Sequence, residues 1–100
     1  MIVKISKDLE NIIPKFLEKR KFEIEGMKNM VYEGNLEEAE NIAHGLKGVF
    51  GSYGFDEIYK LCNEIDEDLK KNNSNEALEK ILHLIQLFKE IKIEFVDEEV

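Results

Sequence analysis

Three short interruptions, at Gly34-Asn35, Tyr53-Gly54-Phe55 and Lys71-Asn72-Asn73-Ser74, divide the sequence into stretches whose apolar residues recur every three to four positions. Glycine or asparagine at such a point can take the left-handed conformation that ends a helix, and the polar residue after it can cap the next one. Asn35 with Glu38, and Asn73 with Glu76, have the spacing of a capping box, and Asp56-Glu57 puts negative charge into another first turn. The one proline, Pro14, separates a short opening turn around Asp8–Ile12 from a longer helix. Four main helices are therefore expected at about 15–33, 36–53, 56–71 and 75–93.

Each of these helices carries one apolar stripe. In the second it runs through Leu36, Ala39, Ile42, Ala43, Leu46, Val49, Phe50 and Tyr53; in the third through Ile58, Leu61, Cys62, Ile65 and Leu69; in the fourth through Ala77, Leu78, Ile81, Leu84, Ile85, Phe88 and Ile91. Short connections make consecutive helices antiparallel neighbours, so the expected architecture is all-α, an up-and-down antiparallel four-helix bundle with a short extra N-terminal helical turn. At 100 residues and 43% hydrophobic composition, residues 1–100 are expected to form one domain with one core. The acidic tail Asp97–Val100 is expected to fray.

Charge and composition then narrow the function. Twenty-two acidic against fourteen basic side chains give a net charge of −8, which repels phosphate backbones and anionic lipid, so neither nucleic acid nor membrane is an expected partner. Lys15, Lys19, Arg20 and Lys21 are the densest basic group and read as the solvated face of a helix. No apolar run approaches a membrane span, no signal peptide is seen, and Cys62 is the single cysteine, all of which fits a cytoplasmic chain. Cys62 lies on an apolar stripe and reads as a small core residue.

One segment of the second helix breaks the rules of a good helix. Ala43-His44-Gly45-Leu46-Lys47-Gly48-Val49-Phe50-Gly51 holds three glycines, each costing about 0.5–1 kcal/mol relative to alanine. With Leu36 at zero, the apolar stripe is centred near 290°, whereas His44 falls at about 80°, Lys47 about 20°, Gly51 about 60° and Gly48 about 120°. His44 is thus expected to face solvent beside a cation, with two residues lacking side chains around it. An imidazole, with an ordinary pKa of about 6.5, is nucleophilic near neutrality without an added base. The chemistry this favours is phosphorylation of the ring, with Lys47 stabilising the developing oxygen charges and Glu40, one turn earlier, placed to orient the ring.

His44-x-x-Lys47-Gly48, with Gly54 further on, resembles the signature of histidine-containing phosphotransfer (HPt) domains. Phe16-Leu17-Glu18-Lys19-Arg20 and Gly51-Ser52-Tyr53-Gly54-Phe55-Asp56 extend the likeness to small bacterial stand-alone members over about residues 10–95. The resemblance implies a four-helix bundle in which His44 accepts a phosphoryl group from a receiver-domain aspartyl phosphate and passes it to another receiver. It also implies that Lys47 assists, that Gly48 permits docking, and that the partners are response-regulator receivers and hybrid histidine kinases; Gly51, from its place on the wheel, is expected to leave a docking partner room as well. Phe50 departs from the small, often hydroxyl-bearing residue of many members and is expected in the core.

No Walker loop or kinase-type glycine loop is present, so the expected role is that of a phosphocarrier with no ATP-dependent activity. No cofactor is expected, Mg²⁺ being needed only on the partner receiver. The acidic run Glu64–Asp68 reads as a solvated face, with no metal site, and His83, among Glu79, Gln86 and Glu90, as a surface histidine. The bundle is expected as a monomer. The competing class is a non-phosphorylated adaptor that docks a receiver or histidine kinase, in which His44 has no special role.

Overall fold

A computed structural model describes residues 1–97. The elements run β1 (Ile2–Ser6), a 3₁₀ turn (Lys7–Leu9), α1 (Ile13–Tyr32), α2 (Leu36–Ser52), α3 (Asp56–Lys70), α4 (Ser74–Lys89) and β2 (Lys92–Val96). The helices form the expected four-helix bundle, α1 packing on α2 and α4 while α3 packs on α2 and α4. Pro14 stands in the first turn of α1, where its missing N–H removes no helical bond.

All three helix connections use one device. Gly34, Gly54 and Asn72 take positive φ of 81°, 79° and 59°. The next residue's backbone N–H reaches back to the carbonyl five positions earlier: Asn35 to Met30 at 2.8 Å, Phe55 to Phe50 at 3.0 Å and Asn73 to Asp68 at 2.8 Å. Gly34, Gly54 and Asn72 themselves donate to Val31, Gly51 and Leu69, which completes a Schellman closure each time. Asn35 and Asn73 do occupy the N-cap positions, but neither makes the side-chain cap bond expected of a capping box. The boundaries are fixed instead by the closure of the preceding helix, which holds the backbone of the same residue.

The structure corrects the sequence reading at both ends of the described chain. α4 stops at Lys89 rather than running to 93, and residues 2–6 and 92–96 form a two-stranded parallel sheet in which Ile2 pairs with Lys92 and Ser6 with Val96. The alternation Val3-Lys4-Ile5 places two β-branched side chains on the buried face, and Ile93-Glu94-Phe95 continues the same period of two. Lys92 N–H also donates to the Met1 carbonyl at 2.9 Å. Of the acidic tail expected to fray, all but Asp97 lies outside the described residues.

The core next to the sheet is aromatic. Phe50 is fully buried, with ring centroids 6.0 Å from Phe16, 5.4 Å from Phe55 and 6.0 Å from Phe88, while Tyr53 stacks on Phe16 at 4.4 Å. Phe50 therefore joins the core as expected, and so does Cys62, whose thiol burial pushes up to about 12. Arg20 is a further correction: instead of lining a solvated face it is buried, its guanidinium 5.1 Å from the Phe16 ring centroid and its Nε 2.7 Å from Glu23. Among the described residues, no helix is long and apolar enough to cross a membrane.

Candidate functional site

His44 lies at the middle of α2 on its exposed face, its side chain 66% accessible. Gly45 and Gly48 flank it with open space, since a Cβ added to either would meet nothing within 4 Å. The clearing inferred from the helical wheel exists at Gly48. At Gly51 it does not: a Cβ there would stand 3.3 Å from the Tyr59 ring of α3, so that glycine admits a neighbouring aromatic of the same molecule. Ser52 Oγ donates to the Gly48 carbonyl at 2.9 Å and binds the last turn of the helix to the same face.

Lys47 is not the solvated cation that the wheel suggested. Its side chain is only 22% exposed, and its ammonium donates to Asp66 Oδ2 at 3.2 Å and to Asn63 Oδ1 at 3.3 Å, both on α3. Asp66 is the residue the sequence reading missed. Placed there within a solvated acidic run, it is in fact 1% exposed, because it occupies the α2-facing side of α3 along with Cys62 and Leu69. A spacing signal was available: Asp66 follows Cys62 by four positions and Leu69 follows Asp66 by three, so all three share the buried stripe.

One oxygen of Asp66 collects three cationic or potentially cationic groups. Besides Lys47, Oδ2 receives Lys70 at 3.4 Å and faces His44 Nδ1 at 3.7 Å. The other oxygen, Oδ1, is buried without a hydrogen-bond partner among the described residues. Glu40, His44 and Asp66 each bring one oxygen or ring nitrogen within 4.8 Å of the others. Hydrogen bonding to Asp66, partial burial and the Asp66 charge all hold the Glu40 carboxyl above its ordinary value of 4.5. Burial alone would push Asp66 up as well, but the hydrogen bonds from Glu40 and Lys47 and the charges of Lys70 and Lys47 outweigh it and hold Asp66 below 3.8. Two ammoniums on the central carboxylate make this trio an unfavourable cation site, since a metal ion would have to displace them.

The site is a surface rather than a pocket. The apolar groove between α1 and α4, lined by Leu17, Ile24, Ile85 and Phe88, includes none of these residues. His83 is exposed on α4, away from the cluster. The His44 ring is accessible, and the Asp66 oxygen nearest its Nδ1 is the one that holds Lys47 and Lys70.

Among curated proteins and among solved structures, none matches this chain. A model of one family, described as the Hpt domain, matches residues 7–94, which include both the whole bundle and the His44 cluster. The chain therefore belongs to the Hpt domain family, whose members carry out histidine phosphotransfer in the phosphorelays of two-component signalling.

Proposed function

We propose that His44 is the phosphoacceptor of a cytoplasmic, monomeric phosphocarrier that takes a phosphoryl group from a receiver-domain aspartyl phosphate and hands it to a second receiver. The observation that carries this reading is the exposed ring beside Gly48, with its Nδ1 turned toward Asp66 and its Nε2 left for an incoming group. The Nε2 lone pair attacks phosphorus, the bond from phosphorus to the partner's aspartyl oxygen breaks, and its electron pair returns to that carboxylate. Return transfer reverses these bonds.

Lys47 sits one turn from His44 and contributes positive charge where the phosphoryl oxygens gather, a gain that grows as their charge develops. Gly48 keeps the approach low enough for the partner's loops. In this reading the Mg²⁺ that transfer requires is held with the aspartate of the receiver. The reading is tested by incubating the chain with a phosphorylated receiver and measuring intact mass at neutral pH. A gain of one phosphoryl group, abolished by His44→Gln and retained by His83→Gln, is expected. Labelling that survives His44→Gln refutes it.

A further inference from the structure

The groove between α1 and α4 has no part in the His44 site. Its apolar walls are Leu17 and Ile24, two turns apart on α1, and Ile85 and Phe88, one turn apart on α4. It holds about 340 Å³, within the range of small-ligand sites, over a length of about 10 Å. A docked helix would find only one turn of the α4 wall to grip. Lys21 stands on the α1 rim and Lys89 on the α4 rim, both exposed, and neither forms an ion pair among the described residues. The two acids on the rim do not cancel them. Glu25 is held by Lys28 at 3.0 Å, so Glu18 alone opposes two ammoniums, and the groove is locally positive in a chain of net charge −8.

We propose that this groove binds a small amphipathic anion, an aliphatic carboxylate of about the groove's length, with its chain against Leu17, Ile24, Ile85 and Phe88 and its head on the rim with Lys21 and Lys89. Taking the chain out of water supplies the affinity, and the unpaired ammoniums select the sign of the head group. A flat bilayer surface would leave the recess unfilled. A second copy laid face to face would bring four unpaired lysines together. Because α1 and α3 each pack on both α2 and α4, the α1–α4 face lies opposite the α2–α3 face that carries His44 and Asp66. The groove can therefore be filled while a partner occupies the histidine. This site goes beyond phosphotransfer and does not rest on it.

The test titrates the full ¹⁵N-labelled chain with sodium decanoate and follows amide shifts. Saturable changes should be confined to α1 and α4 around Leu17, Ile24, Ile85 and Phe88. Shortening the probe to octanoate and hexanoate should raise Kd by up to about fourfold for each methylene lost. Lys21→Gln and Lys89→Gln, both at exposed positions, should each weaken binding about two- to fivefold without affecting the fold. Decyltrimethylammonium, which has a similar chain and the opposite charge, should bind at least tenfold more weakly. Labelling of His44 by potassium phosphoramidate, a donor small enough to need no docking surface, should run at the same rate with and without decanoate. No saturable shift at millimolar decanoate overturns the proposal, as do shifts centred on another face or equal binding of the cationic probe. So does unaltered affinity in the Lys21→Gln/Lys89→Gln double variant. Binding only to vesicles of phosphatidylglycerol would assign the face to a membrane, and sedimentation showing a dimer that Ile85→Arg dissociates would assign it to a second copy; either refutes the small-ligand site. A labelling rate that falls as the groove fills refutes the independence of the two faces.

Discussion

Substituting Gly48 with glutamine should make the domain more stable and less competent at once. The residue lies inside α2, and a Cβ built on it meets no atom within 4 Å, so the new side chain projects into solvent at no steric cost. What changes is helix propensity, which favours glutamine over glycine by about 0.5–1 kcal/mol. For a domain of this size that corresponds to a rise in Tm of roughly 2–8 °C. The same side chain fills the ground beside His44 that a receiver must occupy, so the rate of transfer from a phosphorylated receiver should fall by an order of magnitude or more, while labelling by phosphoramidate should hold. Thermal denaturation followed by circular dichroism gives the first quantity and a quenched transfer assay the second. A lower Tm would mean that Gly48 is packed within the bundle, and unaltered transfer would mean that the partner approaches from elsewhere. Gly51→Ala is the internal comparison: its Cβ would press on the Tyr59 ring at 3.3 Å, so its propensity gain should be reduced or reversed.

Lys47→Ala should destabilise the fold by about 1–3 kcal/mol in urea titration, because it strips a buried carboxylate of one of its two ammonium partners. An effect within error would show that Lys70 alone satisfies Asp66. The two carboxyls give opposite pH signatures. Asp66 is held below 3.8, so the folded chain binds fewer protons there than the unfolded one, and the stability it adds is whole above 3.8 and lost as pH falls through its folded value. Asp66→Asn should flatten that acid limb. Glu40 is held above 4.5, so its favourable contribution exists below 4.5 and disappears as pH rises through its folded value; Glu40→Gln should therefore show a smaller loss of stability over that rise. Urea midpoints taken at intervals between about pH 3 and 7 check both. Phe50→Ala should cost about 3–5 kcal/mol, since it empties the centre of the aromatic cluster. A cost below 1 kcal/mol would mean that the cluster closes over the gap.

The helices were legible because their punctuation is local. Gly34, Gly54 and Asn72 end helices through backbone conformations that their own residue types favour, and no distant contact is needed to see it. The capping boxes were misread because the same residues, Asn35 and Asn73, are already engaged by the helix before them. The strands were missed for the opposite reason. Five residues of alternating pattern form no sheet by themselves, and the partner of Ile2–Ser6 lies at the far end of the sequence. Ile91 also fits the helical stripe of α4, so the change from a period near 3.6 to a period of two was hidden at a residue that satisfies both. At the site, His44 and Gly48 could be read from one helix. Asp66 could not, because its role comes from α2 and α3 facing each other, and its acidic neighbours Glu64, Glu67 and Asp68 disguise it as part of a charged surface.

The pairing of β1 with β2 closes a loop of ninety residues, Ile2 to Lys92, around the entire bundle. Closing so long a loop in an unfolded chain would cost about 4 kcal/mol in entropy from its length alone, more than two five-residue strands can return. The sheet can therefore form only after the helices have brought its ends together, and it must open whenever they part. Its amide protons then report on the whole molecule: they should exchange no more slowly than those at the centre of α2, and any change that loosens the helices should unfasten this clasp as well.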